Sequence, residues 1–205
     1  MKQGLIAMVC VAALLGCEAG VSAAPRNQPS AETVATQSAE YFDGQRWRTV
    51  WVSDREVVEF IAEDGRASMV PAMTAEAELV AEAVRTRLWR LPESASAAAA
   101  IRAVRQVRQD ERLSPRFYRA PGGMSPMALN DTIIVRFKPH WSEQEIQTWA
   151  ERNGVELVRR LAMQSHAYVV RTELGMAALE TANAIQRRGD VASATPNWWV
   201  ETHPR

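Results

Sequence analysis

Side chains that could support catalysis are sparse in this 205-residue chain. The histidines His140, His166 and His203 fall in a loop, a strand and a tail, and none has a second histidine or a carboxylate at metal-ligand spacing. The sequence contains no glycine-rich phosphate loop and no G-x-S-x-G nucleophile elbow. We therefore predict a protein that is not an enzyme, with no catalytic residue, no cofactor and no metal ion.

The amino terminus is typical of an export signal. Lys2 precedes an apolar run from Leu5 to Leu15, which is shorter than the roughly 20 residues needed to cross a bilayer. Residues 1–23 are therefore predicted to form a signal peptide. Two processing sites remain open: a lipobox that ends at Cys17, which would be acylated, and cleavage after Ala23. Either route predicts an exported protein, located in the periplasm, held as an outer-membrane lipoprotein, or secreted.

Cysteine and charge content narrow the function classes. Cys10 lies within the signal and Cys17 is either lipidated or removed, so the mature chain has no cysteine for a disulfide bond or a thiolate metal site. The 24 Lys and Arg residues balance the 24 Asp and Glu residues, which argues against a general nucleic-acid-binding protein. We expect no nucleic-acid partner, and contact with a membrane only through a possible lipid anchor.

The C-terminal half follows a β-α-β-β-α-β pattern. Ser142 and Glu145 form a capping box that predicts a helix start, and Gly154 and Gly189 lie where the two helices are expected to end. The predicted elements are strand Thr132–Phe137, a helix from Ser142, strands Val155–Leu161 and His166–Arg171, a helix around Met176 to Ile185, and strand Val191–Val200. This order predicts an α+β fold, with a ferredoxin-like sandwich at residues 121–205.

Residues 40–120 repeat this pattern in a shorter form, after a flexible polar leader at 24–39. The predicted elements are strand Ser53–Phe60, helix Thr74–Arg87, strand Leu88–Leu91, helix Ser96–Gln109 and strand Leu113–Tyr118. Only one strand separates the two helices here, so we predict a shortened, related βα copy. The alternative is one extended domain whose N-terminal half packs on its C-terminal half.

An arginine stripe runs along the second helix of this N-terminal copy, at Arg102, Arg105, Arg108 and Arg112. These side chains could contact phosphates or anionic lipid, or they could form the solvated face of a helix whose other face is buried. The neutral overall charge favours the solvated face.

The adjacent residues Trp198 and Trp199 must point to opposite faces of a strand. Only one of them can enter a core covered by helices. The other lies on the open face of the sheet, where it either binds a partner or packs on the N-terminal copy. Both possibilities remain open.

Three segments of the C-terminal half form an ordered set: an I-V-x-F-K-P-like strand, a Y-V-V strand and a final A-x-P-N-aromatic segment. Their residues are Ile133, Val135, Phe137, Lys138, Pro139, Tyr168, Val169, Val170, Pro196, Asn197 and Trp198. The set resembles the propeptide of subtilisin-like serine proteases, in particular the fervidolysin-type N-terminal prodomain of the peptidase-inhibitor superfamily. The resemblance covers Asp131 to about Glu201, and the N-terminal copy resembles the family only loosely.

The resemblance implies a protease inhibitor and folding chaperone rather than a catalyst. In the family, the open sheet face packs on the protease and the C-terminal tail lies in its substrate cleft, a mode compatible with strand addition. The tail residues that would contact a protease are Trp199, Val200, Glu201, Thr202, His203, Pro204 and Arg205. No catalytic segment follows them, so we expect action in trans on a separately encoded, exported subtilisin-like protease.

Two other functions remain open. An envelope lipoprotein adaptor could use the same fold to bind a different protein, because a fold does not determine function. The chain could also be a truncated remnant of a fused subtilase precursor, in which case catalytic-domain sequence would lie just downstream in the genome.

Overall fold

The computed structural model describes residues 37–121, 123, 127–162 and 166–200. The predicted signal peptide with Cys17 and the tail residues Glu201, Thr202, His203, Pro204 and Arg205 lie outside these ranges. The described residues form a mixed α and β structure in which one antiparallel sheet predominates and a few helices accompany it. The predicted α+β class is therefore confirmed.

The elements follow one another along the chain as two similar series after an initial strand. The first part comprises β1 (Gln37–Phe42), β2 (Trp47–Phe60), α1 (Val70–Met73), β3 (Glu78–Ala83), β4 (Thr86–Arg90), α2 (Ala97–Val107) and β5 (Leu113–Tyr118). The second comprises β6 (Met127–Arg136), α3 (Glu143–Asn153), β7 (Leu157–Arg160), β8 (Ala167–Arg171), α4 (Met176–Arg188) and β9 (Ser193–Val200). We call β2 to β5 the N-terminal half and β6 to β9 the C-terminal half.

The C-terminal half has the predicted element order, and its strands lie side by side as β9-β6-β8-β7, with every neighbouring pair antiparallel. The capping box at the start of α3 is present: the Ser142 hydroxyl accepts from the Glu145 amide, and Glu145 accepts from the Ser142 amide. Gly154 and Gly189 end the two helices with positive φ, a conformation that glycine adopts without steric cost. The local signals in this half therefore located its helices correctly.

The N-terminal half differs from the prediction in its first helix. The sequence predicts a helix from Thr74 to Arg87, but this segment contains β3 and the first residues of β4. The backbone of β3 pairs with β4, and two cross-strand ion pairs accompany this pairing: Glu82 contacts Arg87 at 2.9 Å and Glu78 contacts Arg90 at 3.4 Å. Pairing with β4 thus overrides the helix propensity of the segment.

Two boundaries also change. Two strands, not one, lie between the helices of the N-terminal half, and it is the first helix, α1, that is shortened to four residues. Strand β1 begins at Gln37, inside the segment predicted to be a flexible leader, and pairs with β2 from Gln37↔Val52 to Phe42↔Trp47. A polar strand without periodic apolar residues gave no signal of this pairing.

The two halves share one pairing scheme. The strands of the N-terminal half lie side by side as β5-β2-β4-β3, which corresponds strand for strand to β9-β6-β8-β7. Val57 pairs with Pro115 as Ile133 pairs with Pro196, and the register shifts just before both. A second shift lies on each edge strand, between Leu79 and Ala81 and between Leu157 and Arg159. The equivalence therefore extends to irregularities that a shared topology alone does not require.

The helices cover one face of the sheet. Leu113 and Phe117 point to the same face of β5 because side chains alternate along a strand. Leu113 packs in a core with Val104 of α2, whereas Phe117 packs in a larger core with Leu179 of α4. The two cores are thus neighbours on a continuous face, and the opposite face carries no helix in the part of the chain that the structure describes.

Candidate functional site

The residues of the family-like motif are chiefly core residues. Ile133, Val135 and Val170 are fully buried, and Phe137 is 1% exposed. Phe137 contacts Trp149 edge to face, with ring centroids 5.0 Å apart, and stacks on Trp141. Most of the motif therefore specifies packing between the sheet and the helices rather than a surface for a partner.

The remaining motif residues differ in their exposure. Lys138 is partly exposed and Pro139 is exposed, just before the capping box. Tyr168 and Val169 are buried on β8, and Pro196 is buried on β9.

Asn197 has a structural task on the face opposite the helices. Its side-chain amide donates to the Thr132 hydroxyl at 2.9 Å, and that hydroxyl donates to the Asn130 side-chain oxygen at 2.7 Å. The network spans the register shift between β6 and β9, where Pro196 also lacks an N–H group for the ladder. Pro196 and Asn197 of the motif are therefore suited to the register shift between β6 and β9.

Trp198 and Trp199 point to opposite faces, as predicted. Trp198 lies on the helix side, where its ring is 5.2 Å from both Tyr41 and Phe117, edge to face. Trp199 lies on the other side and meets Phe60 of β2 edge to face, with centroids 6.0 Å apart. Of the two possibilities left open by the sequence, the structure has Trp199 packed on the N-terminal half.

Trp199 forms one wall of a shallow cleft on the N-terminal half. Residues of β2, β3 and β4 line the cleft together with the indole: Val58, Ala81, Ala83, Thr86, Arg87 and Leu88. Three strand spacings of about 4.8 Å each would separate β9 from β2 in a flat sheet. A flat sheet could not bring Trp199 and Phe60 into contact, so the contact depends on the twist and curvature of the sheet between β9 and β2.

The N-terminal half fills this same face with a buried charge cluster that the sequence analysis did not identify. The carboxylate of Glu56, 1% exposed, lies 3.0 Å from Arg116 and 3.7 Å from Arg90, and accepts a hydrogen bond from the Tyr118 hydroxyl. Burial, followed by the bond to Glu56, raises the pKa of Tyr118 above its ordinary value. Because the partners hold the carboxylate from several sides, the cluster is a rigid part of the fold.

The equivalent positions in the C-terminal half carry different chemistry. Thr132 corresponds to Glu56, since both precede the residue paired with proline, and Asn197 and Trp199 correspond to Arg116 and Tyr118. Beside them, Ile134 is partly exposed, whereas Val58 at the equivalent position is 1% exposed. The C-terminal half therefore lacks the buried carboxylate and leaves the centre of this face more exposed.

A cleft of about 410 Å³ lies beside Ile134. The turn between β1 and β2 forms one wall, and a Cβ added at Gly44 would be in ordinary contact with the Thr195 methyl group, at 3.9 Å. Arg136 and Ser193 line the other side together with Ile134 and Thr195. The turn thus limits access to the beginning of β9. The other end of β9 leads directly to the predicted tail.

The arginine stripe of α2 is not a uniform solvated face. Arg105 donates to the backbone carbonyls of Leu113 and Leu174 at 3.3 and 3.1 Å and so connects the two halves. Arg108 contacts Glu111 at 2.7 Å and Arg112 contacts Asp131 at 3.0 Å, while Arg102 is exposed. Arg105 and Arg112 therefore connect segments that are distant in the sequence, whereas the contact of Arg108 with Glu111 is local.

Within the described residues, no group of three or more His, Cys, Asp or Glu side chains is placed to hold a metal ion. His140 is exposed in the loop between β6 and α3. His166 lies just before β8 and has a φ of 57°. His203 lies outside the described residues. The search for long apolar helices among the described residues found no candidate for a membrane span.

The comparison with protein families found one relevant match. Residues 125–197 match the family model of the fervidolysin N-terminal prodomain. No curated protein and no solved structure gave a significant match. The matched segment covers nearly all of β6 to β9, and includes the core motif and the Pro-Asn irregularity described above. Residues 125–197 are thus similar to the fervidolysin N-terminal prodomain family, and the resemblance to a subtilase propeptide is confirmed for this segment.

Proposed function

We propose that this protein is a non-enzymatic inhibitor, folding chaperone or both, of the prodomain type, which acts in trans on an exported subtilisin-like protease. The observation that carries the proposal is the family match over residues 125–197. The element order and the antiparallel arrangement β9-β6-β8-β7 support a ferredoxin-like reading of the same segment. We further propose that the N-terminal half is an internal copy of this unit.

The proposed contact is the C-terminal tail, with residues of the sheet end behind it. Strand β9 pairs with β6 up to Met127↔Val200, so the backbone is extended as far as the last described residue. An extended segment is suited to binding a protease cleft by main-chain hydrogen bonds. The proposed contact residues are Trp199, Val200, Glu201, Thr202, His203, Pro204 and Arg205.

An inhibition assay tests this proposal. The chain without residues 1–23 is added as a separate polypeptide to purified subtilisin-like proteases, and hydrolysis of a chromogenic peptide is followed. We expect inhibition by the intact chain and at least about tenfold weaker inhibition after deletion of Trp199 to Arg205. Val107→Ser, on an exposed position of α2, serves as the matched control and should inhibit normally. Equal inhibition with and without the tail would exclude the tail as the contact.

A second candidate function is that of an envelope adaptor that binds a different protein. Trp199, the first residue of the proposed tail, already packs on Phe60 and so has a partner within the chain. Affinity capture from the native envelope separates the two functions. Recovery of a subtilisin-like protease, lost on deletion of the tail, supports the inhibitor or chaperone, and recovery of other envelope proteins without a protease supports the adaptor. Protease-coding sequence directly downstream would instead favour a remnant of a fused precursor.

A further inference from the structure

We infer that Phe60, together with the cleft beside Trp199, forms a positioning site for the protease-binding tail, in which Trp199 is anchored on the N-terminal half and holds the start of the tail in place. The inference rests on the proposed function, and it assigns the N-terminal half a role in that function. The contact between Phe60 and Trp199 joins residues 139 positions apart in the sequence, with ring centroids 6.0 Å apart.

The surroundings of Trp199 are mainly apolar. Val58, Ala81, Ala83 and Leu88 provide a mainly apolar lining, and the Phe60 ring is nearly perpendicular to the Trp199 indole at 88°. This edge-to-face geometry is the arrangement that aromatic pairs prefer. The small alanines of the edge strand β3 leave room for the indole, whereas the C-terminal half has Arg159 at the position equivalent to Ala81.

A comparison of the two halves distinguishes the Trp199 contact from ordinary core packing. Tyr118, at the position equivalent to Trp199, contacts Glu56 within its own half. Trp199 instead crosses to the other half, although its own half offers the partly exposed Ile134 on the same face. The chain thus uses its last described aromatic residue to attach the end of β9 to a separate part of the molecule.

The consequence for binding follows from conformational entropy. Val200, the next residue, still pairs with Met127, so the chain beyond it starts from a point restrained on two sides. A ligand segment whose start is held in place loses less freedom on binding and binds more tightly. The N-terminal half is therefore expected to raise the affinity of the tail without touching the protease.

Inhibition of purified subtilisin is the functional test, with Phe60→Ala as the main variant. We expect Phe60→Ala to weaken inhibition about five- to tenfold. Phe60→Tyr and Trp199→Phe retain an aromatic pair and should restore inhibition close to that of the wild type. Phe42→Ala is the matched control, because Phe42 makes a similar edge-to-face contact with Trp47, at 5.8 Å, on the β1–β2 hairpin.

Fluorine NMR of protein labelled with 5-fluorotryptophan tests the contact independently of inhibition. The Trp199 resonance is identified by its loss in Trp199→Phe, and it should shift in Phe60→Ala while remaining in place in Phe42→Ala. Unchanged or stronger inhibition by Phe60→Ala, together with a shifted Trp199 resonance, would overturn the positioning role alone. Absence of inhibition by the wild-type chain would overturn the proposed function and this role with it, even if the resonance reported the contact.

Discussion

The N-terminal and C-terminal halves share a strand order and a register but fill the face opposite the helices differently. In the N-terminal half, Glu56 is buried between Arg90 and Arg116, and Val58 beside it is almost inaccessible. In the C-terminal half, the equivalent residue Thr132 takes part in a neutral hydrogen bond with Asn197, at 2.9 Å. The same backbone pattern thus supports an ionic interior in one half and a more open polar face in the other.

The difference shows that topology and surface chemistry vary independently. One ion pair is present at a similar place in both halves. Arg90 of β4 contacts Glu78 of β3, and Arg171 of β8 contacts Glu156, the residue just before β7. The residues that changed lie at the centre of the face, where a partner or another part of the chain can cover them. We conclude that the half matched by the prodomain family is also the half that lacks the buried charge cluster on this face.

Removal of the Glu56 carboxylate should have the largest effect. Glu56→Ala leaves Arg116 and Arg90 without their shared buried counterion, so we expect the free energy of unfolding to fall by about 3–5 kcal/mol. The equivalent change in the other half, Thr132→Ala, removes a neutral hydrogen bond and should cost about 1 kcal/mol. Urea unfolding of both variants gives the comparison. Equal costs would show that the two faces contribute alike and that the ionic cluster is not the distinguishing feature.

Gly175 sharpens the comparison at the junction of the halves. It precedes α4 with φ of 78°, and a Cβ there would lie 3.4 Å from the Pro115 ring and 3.5 Å from the Ser114 Cα. Gly175→Ala should therefore destabilise the protein by about 1–3 kcal/mol, because a non-glycine residue is strained in this conformation. Gly154→Ala has a similarly positive φ but no neighbour within 4 Å, and should cost less. A smaller loss for Gly175→Ala, again by urea unfolding, would argue against close packing between the halves.

The smallest expected effect is a change in alkaline stability. The pKa of Tyr118 is raised in the folded protein by burial and by Glu56, so the protonated hydroxyl stabilises the fold below the unfolded pKa of about 10. This stabilisation is lost as the pH rises above that value. Tyr118→Phe should make the fall in unfolding free energy between pH 9 and 11 shallower. A wild-type slope in the variant would mean that Tyr118 does not contribute to it.

Local signals identified much of the C-terminal half. Its capping box, its helix-ending glycines and its β-branched strands are short-range features, and the structure has them at the expected places. The segment Leu113 to Tyr118 also shares a pattern with Ala194 to Trp199: a hydroxyl residue, proline, a variable residue and two aromatics. From that likeness, the sequence alone could have predicted that the N-terminal half has the same four strands as the C-terminal half.

Tertiary contacts decided the remaining features. Ala and Glu favour a helix at residues 78–83, but cross-strand pairing with β4 makes this segment a strand. The position of Trp199 depends on how strongly the whole sheet curls, a quantity that no local pattern reports. The burial of Glu56 depends likewise on three strands meeting around it.

The amino-acid sequence by itself determined the element order of the C-terminal half, its family resemblance and the opposite orientation of Trp198 and Trp199, because these depend on periodicity and on nearby residues. Only the tertiary structure decided that Trp199 lies against Phe60, that Glu56 is enclosed by arginines and that Arg105 connects the halves. These contacts join residues far apart in the chain, and their existence depends on the curvature and register of the assembled sheet.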